Sequence, residues 1–184
     1  ALLAGDALQA LAFELTARTP ATSRHTTSSL VSELARTAGS LHLVGGQVAD
    51  LEGEQKKLPL EDLRFVHEGK TAALLTTSIK LGAMSADATA EQLQALHDFG
   101  MATGLAFQII DDILDVTQTS EKLGKSAGKD VASEKSTYPA LMGLDASRAE
   151  AHRLTTAAHD ALTIFGEKGA RLRELADYLL NRDY

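Results

Sequence analysis

The sequence predicts an all-α fold. Alanine and leucine recur throughout the 184 residues, aromatic residues make up only 4% of them, and only three prolines occur. Alanine and leucine are strong helix formers, and prolines interrupt helices, so this composition favours long helical segments over strands. The length suits a single domain, residues 1–184, with a substantial core.

Apolar periodicity and stop signals divide the chain into successive helices. The first has an apolar stripe from Leu8 to Leu15 and should end near Thr19-Pro20, because the residue before proline avoids helical backbone angles. We expect Thr22 or Ser23 to cap the second helix. Further helices are expected at about 23–38, 40–51, 60–81, 87–118, 137–144, 146–165 and 168–182, with a polar loop at 119–136.

Three glycines and two candidate caps refine these boundaries. Gly45-Gly46 should either kink its helix or let a neighbouring segment approach closely. Gly82 should end the helix that Pro59 precedes, and Asp87 or Thr89 should begin the long helix that follows.

The composition excludes several classes of protein. The net charge of −7 argues against nucleic-acid and anionic-membrane partners, which need a basic face. The absence of cysteine excludes disulfides and thiolate metal sites and is compatible with a cytoplasmic location. No apolar run approaches 18 residues, so we expect no stable membrane insertion. The chain shows no signal peptide and does not begin with methionine, which suggests that upstream residues are missing.

An acidic segment inside an apolar helix, Phe107 to Asp115, is the most informative local pattern. Gln108, Asp111 and Asp115 share one helical face, whereas Asp112 lies about 100° round from Asp111. Oxygen ligands without nearby histidine or cysteine suit Mg²⁺, which often bridges carboxylates to substrate phosphates. The alternative interpretation is an acidic stripe that faces solvent.

Two lysine-containing segments complement these carboxylates. Lys70-Thr71 follows a glycine within a helix, where an ammonium group and a hydroxyl can bind an anion. The polar loop places Lys125, Lys129 and Lys135 near flexible glycines, as in a phosphate clamp, but it lacks the glycine and the preceding strand of a P-loop. The alternative for both segments is ordinary solvent-exposed lysine.

Together, these features predict a helical bundle that binds a ligand with a polyanionic head and an apolar tail, as isoprenoid diphosphates have. Other chemistries have less support. The chain has no E-x-x-H pair for di-iron, no H-E-x-x-H motif for zinc, and no G-x-S-x-G motif for a Ser-His-Asp triad. The histidines are too scattered to predict a cluster: His25, His42, His67, His97, His152 and His159.

Five segments in order along the chain show a family resemblance. They are Ala4-Gly5-Asp6-Ala7-Leu8, Gly45-Gly46-Gln47-Val48-Ala49-Asp50-Leu51, Lys70-Thr71, Phe107 to Asp115, and the stretch from Gly124-Lys125 to Lys135-Ser136-Thr137-Tyr138-Pro139. They closely resemble the L-A-G-D-A-L, G-G-Q-x-x-D-L, K-T, F-Q-x-x-D-D-x-x-D and G-K…K-x-T-Y-P motifs of the trans-isoprenyl diphosphate synthases, in particular the bacterial farnesyl/geranylgeranyl branch. The resemblance implies the isoprenoid synthase bundle, here without its first helices.

The resemblance also implies roles for individual residues. Asp111 would be the most direct Mg²⁺ ligand, with Asp112 and Asp115 reaching the metal or its waters. Gln47 and Asp50 would line or brace the cavity. The residues that would hold the allylic diphosphate are Lys70, Thr71, Gln108, Lys125 and Lys135. Lys70, Thr71 and Gln108 would also orient the bond that ionises, so that isopentenyl diphosphate attacks the allylic cation and the product gains five carbons.

The family's first Asp-rich motif, its isopentenyl diphosphate-binding residues and its chain-length determinants precede the L-A-G-D-A-L segment, so this chain does not contain them. We therefore expect the chain to be a fragment of a homodimeric enzyme, inactive and poorly stable alone. The alternative is a non-catalytic regulatory or assembly subunit, and a generic helical scaffold is a third. The chain does not indicate the product length.

Overall fold

The computed structural model describes residues 1–54, 56–117 and 136–182, and all regular structure in these ranges is helical, as expected. The elements are α1 (Leu2–Arg18), α2 (Thr27–Ala38), α3 (Leu43–Gly53), α4 (Leu60–His67), a π-helix (Glu68–Ala72), α5 (Ala73–Ser85), α6 (Ala90–Thr117), α7 (Tyr138–Met142), α8 (Leu144–Ala161), a 3₁₀-helix (Thr163–Gly169) and α9 (Ala170–Asn181).

The second helix begins later than expected, because Thr26 and not Thr22 or Ser23 is its cap. The Thr26 hydroxyl accepts a hydrogen bond from the Ser29 backbone N–H at 3.1 Å. The Thr22 hydroxyl instead accepts from the His25 N–H at 3.1 Å and closes a turn before the helix.

The long helix α6 begins with a capping box. The Gln92 N–H donates to the Thr89 hydroxyl at 3.2 Å, and the Gln92 side chain accepts from the Thr89 N–H at 2.9 Å. Of the two expected starts, Thr89 is therefore the cap. Asp87 lies in the preceding turn with a φ of 61°, where its carboxylate accepts from the Arg24 N–H at 2.8 Å and tethers the connector between α1 and α2.

The single helix expected at 60–81 is three elements, because a π-helix separates α4 from α5. Gly82 does not end α5, which continues to Ser85. Near the other end of the chain, the helix expected at 146–165 begins at Leu144 and stops at Ala161, and a 3₁₀ segment follows in which Gly166 adopts a φ of 52°.

Helix α6 lies at the centre of the described fold, with α5 on one side and α8 on the other. Its apolar residues contribute to two core clusters. The first contains Leu63, Leu105, Ala106, Ile109, Ile110, Ile113, Tyr138, Ala151 and Leu154. The second contains Leu96, Phe99, Ala158, Leu162 and Ala176.

Glycines let α5 and the π-helix approach α6 closely. A Cβ atom on Gly100 would lie 2.8 Å from Thr76 Cα, and one on Gly104 would lie 2.5 Å from Ala72 Cα. His67 also contacts Asp112 further along α6. Residue numbers therefore rise on α6 as they fall from α5 through the π-helix to α4, so α6 runs antiparallel to these three elements.

Helix α1 differs from the others because none of its residues is buried. It packs mainly against α2, and several of its leucines are largely exposed: Leu2, Leu3, Leu8, Leu11 and Leu15. None of the described helices is long and apolar enough to span a membrane.

Replacing Gly104 by alanine should destabilise the fold by about 1–3 kcal/mol, because the new methyl group meets backbone that cannot move aside cheaply. Gly82→Ala is the matched control, since Gly82 lies inside a helix and a Cβ added there would have no atom within 4 Å, and it should stabilise by about 0.5–1 kcal/mol. Urea unfolding followed by circular dichroism measures both. Equal effects of the two variants would contradict the close packing.

Candidate active site

The π-helix contains Lys70 and Thr71, two of the residues expected to bind an anion. Its backbone lies directly against α3, because a Cβ on Gly46 would be 2.4 Å from the Lys70 backbone nitrogen. The Gly45-Gly46 pair therefore permits a close approach, one of the two outcomes expected from the sequence. Since π-helical turns are rare and occur often at functional sites, this packing marks the segment as a candidate.

Asp50, one turn beyond Gly46, holds the Lys70 side chain. The Lys70 Nζ donates to Asp50 Oδ2 at 2.7 Å, and both side chains are partly buried. Gln47 lies on the same helix and is partly exposed, as is Thr71. Asp50 thus contacts the π-helix through Lys70, and the expected role of Gln47 and Asp50 in lining or bracing the cavity stays a prediction.

The antiparallel register places the π-helix beside the part of α6 that contains the acidic motif. His67 contacts Asp112, and Ala72 lies against Gly104, so the intervening π-helix residues are level with Gln108 on α6. Asp111 is three residues, about one helical turn, further along. The structure therefore brings the Lys-Thr pair and the glutamine of the acidic motif to one level of the bundle.

Asp111 lies at a partly exposed position and is contacted from two sides. The Gln108 side-chain amide donates to Asp111 Oδ2 at 3.0 Å, and the Arg182 guanidinium pairs with Oδ1. Arg182 is itself held 3.9 Å above the centroid of the Phe107 ring and donates to the Phe107 carbonyl at 3.1 Å. The Asp111 carboxylate is therefore paired with a cation, the guanidinium group of Arg182, which is the residue that follows α9.

Burial raises the pKa of Asp111 above its ordinary value, and the neighbouring Arg182 opposes that rise. The charge on Asp112 acts in the same direction as burial. A partly desolvated carboxylate beside a second acidic residue gains from a bound cation, which is what a metal ligand requires.

Asp112 occupies a different environment, with only 7% of its surface exposed. Its Oδ2 accepts a hydrogen bond from the Tyr138 backbone N–H at 2.9 Å and lies 3.3 Å from His67 Nε2. Adjacent residues of a helix point about 100° apart, so Asp111 and Asp112 face different neighbours, as the sequence predicted.

The remaining candidates are distributed as follows. Asp115 lies one turn beyond Asp111 and is partly exposed. Within residues 1–54, 56–117 and 136–182, no three acidic or histidine side chains converge tightly enough to hold a metal alone. Lys125 and Lys135 lie outside the described residues.

Sequence reasoning missed three residues that contact the acidic motif: His67, Tyr138 and Arg182. Tyr138 belongs to the K-x-T-Y-P stretch, and His67 lies three residues before Lys70, so both lie in or beside segments that the sequence had singled out. Arg182 follows the last helix, and its sequence neighbourhood gives no signal of the contact.

A cavity of about 440 Å³ is lined mainly by residues of α2, α5 and α6, and Glu68 and Gly69 of the π-helix also line it. Its lining includes apolar residues, among them Phe65, Ala73 and Met101, and the ion pair of Lys80 with Glu33. None of the acidic residues in the motif at 107–115 lines this cavity.

Comparison with known proteins identifies the family of the chain. The sequence model of the polyprenyl synthetase family matches residues 1–173. The chain belongs to this family. It is 47% identical over 186 residues to a chloroplastic geranylgeranyl pyrophosphate synthase of Catharanthus roseus, covering 100% of this chain and 52% of that protein. It is 42% identical over 189 residues to the farnesyl diphosphate synthase of Escherichia coli K12, covering 100% of this chain and 63% of that one.

Solved structures of the family show the same fold. A geranyltransferase from Helicobacter pylori, crystallised with magnesium and isoprenyl diphosphate, superposes with a TM-score of 0.78 at 35% identity, covering 97% of this chain and 58% of that one. This polyprenyl synthetase chain spans about half the length of the curated relatives it matches.

Tyr138 generates a pH prediction. Burial raises the pKa of its phenol from 10.0 to about 12. The stabilisation from the protonated phenol is therefore complete below pH 10 and lost as the pH rises to about 12, because the unfolded chain releases this proton first. Between these values the unfolding free energy of the wild type should fall relative to that of Tyr138→Phe, measured by urea unfolding. Parallel curves would contradict the burial of this phenol.

Proposed function

We propose that this chain forms the diphosphate-binding part of a prenyltransferase that joins an allylic diphosphate to isopentenyl diphosphate. The observation that most supports the proposal is the register that sets Lys70 and Thr71 level with Gln108, one turn from Asp111. Cationic and hydroxyl donors beside a carboxylate suit a metal-bound diphosphate. The family membership supports the same reaction class.

The donor set fits Mg²⁺. Asp111 and Asp115 supply hard oxygen ligands from one helix, and Mg²⁺ commonly uses only one or two protein carboxylates together with substrate phosphates and water. Asp111 would be the direct ligand. That Asp112 and Asp115 reach the metal or its waters, as the family resemblance implies, stays a prediction, and for Asp112 the buried contacts to the Tyr138 N–H and to His67 favour a structural role instead. Bound Mg²⁺ would neutralise charge on the leaving pyrophosphate.

The chain's own side chains would bind and orient the substrate. Lys70 and Thr71 would donate to the diphosphate oxygens from the π-helix, and the Gln108 amide would donate beside them. Asp50 would hold Lys70 in place through the 2.7 Å contact. Lys125 and Lys135 would complete the anion site, as the family resemblance implies.

Charge stabilisation explains why such a site would promote ionisation. Cleavage of the allylic carbon–oxygen bond transfers an electron pair to the leaving pyrophosphate, and donors already in position stabilise that charge without reorganisation. Attack of the isopentenyl double bond on the allylic cation would form the new carbon–carbon bond and leave a second cation, which would lose a proton to the departing pyrophosphate to give the product. Both cations need water to be excluded, which apolar helices around the site favour. The active form in this proposal is a cytoplasmic homodimer.

The direct test of the proposal is a condensation assay on the intact protein with an allylic diphosphate, isopentenyl diphosphate and Mg²⁺. A product five carbons longer, absent when the metal is chelated, is the expected result. A folded protein that forms no product with any allylic diphosphate would favour the non-catalytic subunit instead.

Replacing Asp111 by alanine should lower kcat by at least about 10²-fold, a loss of roughly 2.7 kcal/mol of transition-state stabilisation, because the metal would lose its direct ligand. Steady-state kinetics at saturating Mg²⁺ measure this. Near-normal turnover under those conditions would refute the metal assignment.

Lys70→Gln should raise KM for the allylic diphosphate by about tenfold or more, since a hydrogen bond from a charged donor contributes roughly 1.5–3 kcal/mol. Lys168→Gln removes the same charge from an exposed position outside the site and is the matched control. Equal KM changes in both variants would show that only overall charge matters.

A further inference from the structure

Three separate segments of the chain meet at the carboxylate of Asp112. His67 is the last residue of α4, Asp112 lies on α6, and Tyr138 is the first residue of α7. Asp112 Oδ2 lies 2.9 Å from the Tyr138 nitrogen and 3.3 Å from His67 Nε2. The three residues, called the Asp112 cluster below, are buried, with 8%, 7% and 2% of their surfaces exposed in chain order.

The contacts within the Asp112 cluster are specific. The His67 and Tyr138 rings stack with centroids 5.8 Å apart and planes inclined by 15°. The Tyr138 N–H is at the start of a helix, where the first backbone donors have no partner inside the helix, so the carboxylate satisfies a donor that would otherwise be orphaned. Tyr138 also belongs to the apolar cluster that includes Ile109 and Ile113.

Burial of a carboxylate among apolar residues costs free energy unless partners compensate it. Removing such a carboxylate leaves the Tyr138 N–H and the His67 ring without their acceptor in a buried place, which is unfavourable. The Asp112 cluster therefore resists rearrangement and keeps its three segments in one relative position.

Two of these segments adjoin candidate site residues. The residue after His67 begins the π-helix that contains Lys70 and Thr71, and Asp112 is joined by a peptide bond to Asp111. The Asp111 side chain points elsewhere, to Gln108 and Arg182. One buried carboxylate thus connects the anion-binding segment to the metal-binding segment.

We propose that Asp112 is a positioning residue, which sets the π-helix and Asp111 in register through His67 and Tyr138 and does not itself bind the metal. This role rests on the proposed prenyltransferase function. It assigns different tasks to adjacent carboxylates of the acidic motif. Asp111 would bind the metal, and Asp112 would hold the segments that contain His67 and Tyr138 in place against α6.

Asparagine at position 112 separates the two roles. Its carbonyl oxygen accepts the same hydrogen bonds as Asp112 Oδ2, but it has no charge and is a poor Mg²⁺ ligand. Asp112→Asn should therefore stay within about threefold of the wild type in kcat, in KM for the allylic diphosphate and in the Mg²⁺ concentration for half-maximal rate. Asp112→Ala should lose about 10–100-fold in kcat/KM.

Two further variants complete the set in the intact protein. Asp111→Asn, the matched change at the neighbouring carboxylate, should lose activity as strongly as removal of a metal ligand does. His67→Phe keeps an aromatic ring against Tyr138 but contributes no hydrogen bond, so it should raise the allylic KM without altering the Mg²⁺ dependence. Circular dichroism verifies that each variant is folded.

Hydrogen exchange, measured by mass spectrometry on peptides spanning residues 136–142, tests the Asp112 cluster independently of activity. The Tyr138 amide should exchange slowly in the wild type and in Asp112→Asn, and faster in Asp112→Ala. An Asp112→Asn variant as impaired as Asp111→Asn, with a shifted Mg²⁺ dependence, would overturn the proposal, as would an Asp112→Ala variant with normal kinetics and normal exchange. A wild-type protein without activity would refute the proposed function, while the exchange data would still decide whether Asp112 holds Tyr138.

Discussion

The structure depends on the close approach of helix backbones on both sides of the π-helix. Gly46 allows α3 to contact the Lys70 backbone, and Gly104 allows α6 to contact Ala72. No larger residue fits at either position without backbone movement. Because the π-helix is held between two helices at these distances, its lysine and threonine have a defined level relative to the acidic motif.

Around that frame, three acidic side chains meet donors of different kinds. Asp50 pairs with Lys70, Asp111 with Arg182 and Gln108, and Asp112 with a helix N-terminal N–H and a histidine. Partial desolvation makes these partners necessary. Of the three side chains, Asp111 is the most exposed and therefore the most accessible to a ligand. Its raised pKa shows that its present partners do not fully offset burial.

The sequence was sufficient to predict the helical class, most helices and the close approach at Gly45-Gly46, because composition, periodicity and glycine chemistry act locally. It did not predict the π-helix, which depends on packing against α3 and α6, nor the cap at Thr26, since several hydroxyl residues compete there. Among the site residues, the helical periodicity predicted that Asp111 and Asp112 point in different directions. It did not reveal Arg182, because Arg182 contacts Asp111 from 71 positions further along the chain.

The central claim is that Asp111 and the π-helix form one site for a metal-bound diphosphate. Isothermal titration of inorganic pyrophosphate into the intact protein, with and without Mg²⁺, tests it most directly. The account predicts binding that requires Mg²⁺, that Asp111→Asn abolishes, and that Lys70→Gln weakens. Pyrophosphate binding of equal strength without the metal, or unchanged in both variants, would contradict it.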